Sequence, residues 1–334
     1  MKDKNISYIS ILQIIGPIFV ILGHSLNGLE CTGLWYQISK EWIYIFHMPL
    51  FFMISGYLLA YKGYLGKRSY RVFVCEKAKR LLLPYVVWNL AFWIPKFFAQ
   101  QYISDNATLN MRDMIKVFVF PRQNVWGHTW FLLGLFVVYL ATPLFKYVIG
   151  ANKHSSYIIV LIGAVFLYIS PITTEFMAFS DIHKDLLFFI IGCILGQIEK
   201  DTFFDMMKRF RMGFIIGAIA FSVVAVYWYE ETKILHFIPC TFILLSFLSL
   251  SVSAKEISCI WQNIATYSFG IYIMHWPIMI IVRIISHQIL EVNVTVTALF
   301  MSIFGYAVPV IVITIIRALP LKRIRKPLKY LLGV

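Results

Sequence analysis

The chain has 334 residues, 60% hydrophobic and 14% charged, and thirty basic against sixteen acidic side chains leave a formal charge of +14. Globular domains usually carry about 25% charged and about 45–50% apolar residues. The composition therefore excludes disorder, a disulfide scaffold and an ordinary soluble enzyme, and it reads as an all-α integral membrane protein.

A helix needs about 20 apolar residues to cross roughly 30 Å of hydrocarbon. Ten stretches qualify, at about 7–29, 42–61, 81–101, 129–149, 156–173, 185–198, 212–229, 235–253, 263–286 and 293–317. No connection between them is long enough for a soluble domain, so residues 1–334 are expected to form a single membrane domain. The longest, an outer loop at 102–128, holds Met111–Phe120 (MRDMIKVFVF), whose mixed spacing suggests an interfacial helix. The first apolar run lacks a small-residue cleavage site, so it is expected to stay as the first span rather than leave as a signal peptide.

Orientation follows from the Lys and Arg residues. With ten spans both termini share a side, and that side carries 22 of the 30 basic residues against eight on the other. Both termini are therefore expected in the cytoplasm. Most of these charges read as topology determinants that also attract anionic lipid. Nucleic acid is a poor partner for basic residues on short loops with no binding module.

The five cysteines (Cys31, Cys75, Cys193, Cys240, Cys259) have no CxxC spacing, and only Cys31 falls in an outer loop. No metal-ligand spacing, phosphate loop or nucleophile-elbow motif is present, so no metal and no permanently bound cofactor is expected.

Polar groups inside spans are costly and usually face a bundle interior or a water-filled cavity. The first span carries Gln13 and His24, the second His47 and Ser55, and the fourth opens with His128 and Trp130. The ninth carries Tyr267, Ser268 and Tyr272 before His275-Trp276-Pro277. Given the span directions, His24, His47, His128 and His275 fall at similar depth, in the middle-to-outer part of the membrane. A lone histidine in a span is more often a structural hydrogen-bonding group; four at one level point to a buried polar site. Gln13 and His24 are eleven residues apart, about 20° beyond three full turns, so they share a face about 16 Å apart along the axis.

The cytoplasmic loop at 62–80 supplies Lys62, Lys67, Arg68, Arg71, Lys77, Lys79 and Arg80 with one acid, Glu76. That exceeds what topology requires. Arg suits bidentate phosphate recognition, so a cytosolic polyanion bound at the mouth of the cavity fits these residues.

Six segments together resemble one family: VILGHS at 20–25, FHMPLFFMISGYLL at 46–59, KAKRLLLPY at 77–85, HTWFL at 128–132 with Pro143, FFIIGCILG at 188–196 and SFGIYIMHWPI at 268–278. In that order, on ten spans, they are similar to the bacterial acyltransferase-3 family, whose members move acyl groups from acyl-CoA onto cell-surface glycans. The likeness runs from Tyr8 to about Pro309. It implies that His24 is the catalytic base, with Gln13, Arg71, Lys77 and Arg80 holding acyl-CoA. It leaves His47, Ser55, Trp130 and His275 to place the acceptor or steady the developing oxyanion. Family members typically carry Arg where this chain has Gln13, and often Asp where it has Ser10. Replacing both together avoids leaving one charge unpaired in a low-dielectric setting; Gln13 then offers hydrogen bonds to pantetheine and no charge.

Some members carry an additional extracellular hydrolase-like domain; this chain is expected to have none, so that it reaches the acceptor directly or another protein finishes the transfer. The expected partners are acyl-CoA, acetyl by default, a polysaccharide or lipid-linked glycan, and the bilayer; a homo-oligomer stays open. A succinyl donor would want another cation, for which Arg283 is the outward-side candidate. Two other readings remain: an exporter of a lipid-linked glycan with the histidines as a proton relay, and a non-catalytic partner in glycan assembly.

Overall fold

The computed structural model describes residues 7–27, 29, 33–63, 69–98, 118–123, 127–144, 154–229, 233–254, 258–318, 328 and 330–332. Every regular element among them is helical, without strands. In chain order the principal helices are α1 (Ser7–Asn27), α2 (Leu34–Tyr61), α3 (Tyr70–Phe98), α4 (Trp130–Leu140), α5 (His154–Ile169) and α6 (Phe179–Leu195). They continue with α7 (Lys200–Arg209), α8 (Arg211–Tyr227), α9 (Phe237–Ser253), α10 (Cys259–Ala265), α11 (Ser268–Arg283) and α12 (Val294–Ala318).

By length and composition, five stretches among the described residues are able to cross a membrane: Ser7–Leu26, Leu34–Tyr61, Gly127–Leu144, Ser268–Ile289 and Val294–Ala318. The pair α7 and α8, bent by 55°, makes a sixth if counted as one span. These apolar helices make the chain an all-α membrane protein. Their outward sides agree with that reading: Ile159 and Phe166 on α5, Ile216, Ile219 and Val223 on α8, and Leu299 and Ile311 on α12 are all exposed, where lipid would cover them.

Several boundaries differ from the sequence reading. Helix α2 begins eight residues before the expected start of the second span. The basic segment expected as a loop at 62–80 is helical from Tyr70, so Arg71, Lys77, Lys79 and Arg80 ride on the first turns of α3. The helix at the expected sixth span begins at Phe179 rather than at 185. The ninth is divided: α10 is separate, and α11 passes into a π-helical turn at Ile284–Ile289. The expected interfacial helix at Met111–Phe120 lies almost wholly outside the described residues, as do Lys67 and Arg68.

The chain folds as two compact units, one of Met1–Ile54 with Ile198–Val334 and one of Ser55–Gln197. In the first, α1 packs against α9, α10, α11 and α12, while α11 lies along α12 and α8 along α9. Phe19 of α1 is the hub of an aromatic cluster with Trp42, Phe46 and Phe247. The Trp42 indole N–H donates to Ser222 Oγ at 3.1 Å, tying α2 to α8 beside a largely apolar cleft of about 280 Å³.

Helix α9 shows how an apolar span carries hydroxyls. Thr241, Ser246, Ser249, Ser251 and Ser253 each donate to a carbonyl three or four residues earlier, so no hydroxyl is left to the lipid.

In the second unit α3 packs against α4, α5 against α6, and α4 against α6 and the short turn Phe176–Ala178. Small residues permit the closest approach: a Cβ on Gly56 would lie 2.0 Å from the Phe189 carbonyl oxygen, and one on Gly196 would lie 2.5 Å from that of Tyr57. The Phe176–Ala178 turn holds two successive non-glycine residues at positive φ, Met177 and Ala178. Its neighbour Asp181 takes a bidentate ion pair from Arg122, whose guanidinium lies 4.6 Å from the centre of the Trp130 ring. Gln123 donates to Glu175 at 2.9 Å in the same place.

Candidate functional site

The first unit brings two of the singled-out histidines together. His24, half-buried on α1, and His275, with no exposed surface on α11, have ring centres 5.4 Å apart and planes tilted by 31°. The next residue on α11, Trp276, meets the His24 ring edge-on at 4.9 Å. The packing of α1 on α11 and α12 explains the approach. Gly305 of α12 leaves room for Met279 and Ile21, since a Cβ there would lie 2.9 Å from Met279. One residue after His24, Ser25 accepts a bond from Ser302 of α12 at 3.0 Å. The His275 Nδ1 lies 2.6 Å from the Tyr272 carbonyl oxygen, which can only accept, so Nδ1 carries the hydrogen.

Gln13 is half-buried on the same unbroken helix as His24, so the shared face derived from their spacing applies along α1. The route from Gln13 to His24 passes Pro17, which a membrane helix tolerates when its neighbours satisfy the freed carbonyl.

His47 is buried on α2 with Nδ1 2.9 Å from the Ile43 carbonyl and its ring 4.8 Å from that of Tyr44. Tyr44 in turn backs onto α1: a Cβ on Gly23 would lie 3.3 Å from its ring. His47 thus stands next to the ring that touches the residue before His24.

The remaining candidates belong to the second unit. Ser55 is half-buried beside Gly56. Arg71 and Arg80 are exposed on α3. Lys77 is held differently: its ammonium lies 3.8 Å from the centre of the Tyr139 ring and 5.3 Å from that of Phe73. Tyr70 fixes the same region by donating to the Leu140 carbonyl at 2.7 Å. Trp130 is buried, and Arg122 lies over its ring, so that surface of the indole is already covered. His128 is buried in the Gly127–Thr129 turn, next to Thr129, which accepts from Asn89 of α3.

Sequence reasoning passed over three features. Trp276 was seen only as the neighbour of His275; its ring contact with His24 depends on which way α11 faces. The Arg122–Asp181 pair joins residues 59 apart and has no local signal. The cation–ring contacts of Lys77 left a trace, because Phe73 and Lys77 are one helical turn apart. Among the described residues no group of His, Cys, Asp and Glu is arranged to hold a metal ion.

The chain is similar to two nodulation proteins named NolL. It is 29% identical over 195 residues to the one from Sinorhizobium fredii, which is 58% of this chain and 49% of the relative. It is 31% identical over 157 residues to the one from Mesorhizobium japonicum, 46% of this chain and 38% of the relative. The matched region thus spans half or less of these relatives' length. No solved structure matches. The acyltransferase-3 profile, described as an acyltransferase domain, matches residues 6–316. A match over nearly the whole chain, taken with six motifs in order on apolar helices, places the protein in the acyltransferase-3 family.

Proposed function

We propose that the protein is a membrane O-acyltransferase that moves an acyl group, acetyl first among the candidates, from cytosolic acyl-CoA to a hydroxyl of a cell-surface or exported glycan. The observation that carries this reading is the family match over residues 6–316, within which His24 stands beside His275 and Trp276 on helices of one unit. The working topology is ten spans in the bacterial cytoplasmic membrane with both termini inside, supported by the 22 to 8 split of basic residues.

Acyl-CoA docks from the cytosol. The exposed guanidinium groups of Arg71 and Arg80 suit its phosphates, and Lys77 adds positive charge from its seat between Phe73 and Tyr139. The pantetheine arm runs along the α1 face that Gln13 and His24 share, and the Gln13 amide is a hydrogen-bond partner for it. Ser55, Trp130 and His47 remain candidates for placing the acceptor.

His24 takes the proton of the acceptor hydroxyl as its oxygen attacks the thioester carbonyl. The tetrahedral intermediate collapses with loss of the C–S bond, and the CoA thiolate takes from His24 the proton that came from the acceptor hydroxyl. General-base help of this kind typically contributes about 10²–10⁴-fold.

A second reading, export of a lipid-linked glycan with the histidines as a proton relay, draws on the same pair of intramembrane imidazoles. The deciding experiment measures acyl content of surface polysaccharide by NMR in a deletion strain complemented with wild type or His24→Ala. Acylation restored by wild type alone supports the transferase. Full restoration by His24→Ala removes the catalytic assignment and favours the exporter or the non-catalytic partner reading.

A further inference from the structure

Three buried histidines follow the same local habit. His47, His183 and His275 each direct Nδ1 at a carbonyl of their own helix, at 2.9, 2.9 and 2.6 Å. That bond by itself marks nothing beyond a satisfied ring nitrogen inside a helix. What distinguishes His275 is a second imidazole, that of His24, with its ring centre 5.4 Å away. In the neutral His275 ring, Nδ1 is spent as a donor to the Tyr272 carbonyl, so Nε2 is the nitrogen with a lone pair. A ring-centre separation of 5.4 Å is close to that of two imidazoles joined by an N–H···N contact.

We propose that His275 is a positioning residue for His24. Its Nε2 accepts the N–H of His24, which fixes the tautomer of His24 and aims the other nitrogen, with its lone pair, at the acceptor hydroxyl. Trp276 limits the ring's swing from a second direction through its edge-on contact. The Ser302 to Ser25 bond holds the α1 backbone one residue away. When the hydroxyl proton arrives on His24, the imidazolium keeps its original N–H on His275 and later gives the new proton to the CoA thiolate. His275 ends the cycle with the protons it began with. The inference rests on the acyltransferase reading, and it assigns to a neutral imidazole the orienting task that a carboxylate performs in many hydrolases.

The test uses two substitutions that separate the nitrogens. His275→Asn reproduces the tie to the Tyr272 carbonyl but cannot reach the level of Nε2. His275→Gln reaches that level with an amide oxygen able to accept. Both are compared with wild type and His24→Ala in the deletion strain, with acyl content read by NMR and divided by the amount of folded, monodisperse protein recovered from the membrane. The expected result is a loss of roughly tenfold or more for His275→Asn, with His275→Gln recovering at least about a third of wild-type acylation. Wild-type activity in His275→Asn overturns the inference. So does equal impairment of the two variants, which would mean that the ring only packs. If His24→Ala acylates as wild type does, the underlying reading falls and takes this inference with it. If only the His275 variants behave as wild type, the transferase reading survives alone.

Discussion

Gly56 of α2 faces the Phe189 carbonyl of α6 so closely that a Cβ at that position would lie 2.0 Å from the oxygen. The obstacle is backbone and cannot rotate away, so the second unit depends on a bare hydrogen there. Gly56→Ala is expected to cost about 3 kcal/mol or more of stability. Gly163→Ala on α5, where a Cβ meets nothing within 4 Å, should be neutral or slightly stabilising, because Ala is the better helix former by about 1 kcal/mol. Unfolding in detergent with increasing denaturant measures both, and a Gly56→Ala protein as stable as Gly163→Ala would contradict the packing account.

Lys77 and Arg80 lie one turn apart on α3 but meet different surroundings. The Lys77 ammonium sits over two rings, worth about 0.5–2 kcal/mol by the usual range for cation–π contacts. Arg80 is exposed. Lys77→Met should therefore lower the melting temperature in detergent, while Arg80→Ala should leave it unchanged and raise the KM for acyl-CoA in a CoA-release assay on protein in nanodiscs. The reverse pattern would exchange the two roles.

Arg122 is 42% exposed as a side chain and Asp181 18%, so solvent weakens their pair even though it is bidentate. A double-mutant cycle with Arg122→Gln and Asp181→Asn should give a coupling of about 1 kcal/mol or less. Coupling several times larger would show that the pair is shielded from water in the membrane.

The exposed Cys75 and Cys259 report on orientation. With both termini in the cytoplasm, a membrane-impermeant maleimide should label these two thiols in inside-out vesicles and not in intact spheroplasts. Cys31→Ser serves as background, to remove the thiol expected outside. Labelling of Cys75 in spheroplasts would invert the topology.

Apolar content was legible in the sequence as a membrane class because composition is insensitive to where helices end. Boundaries were not, and α2 shows why. Its residues from Trp42 to Tyr61 rise about 30 Å, the thickness of the hydrocarbon, while Leu34–Glu41 adds about 12 Å in which Lys40 and Glu41 cost nothing. Helix continues where apolarity stops. The same holds for α3, whose basic first turns looked like loop because charge, rather than helix propensity, was the signal. The phase of Gln13 and His24 was readable, since a single helix fixes it. The meeting of His24 with His275 and Trp276 was not, because it depends on how α1 and α11 turn toward one another across 251 residues of sequence.

The 55° bend at Phe210 between α7 and α8 has a mechanical consequence. Phe203 and Met207 hold α7 to the protein on its buried side, while Lys200, Asp201, Asp205, Lys208 and Arg209 face outward. Helix α8 therefore cannot sink further into the hydrocarbon without drawing this charged side after it. The bend then acts as a depth stop: on the proposed topology a thicker bilayer is met by lipid deformation rather than by sliding of α8.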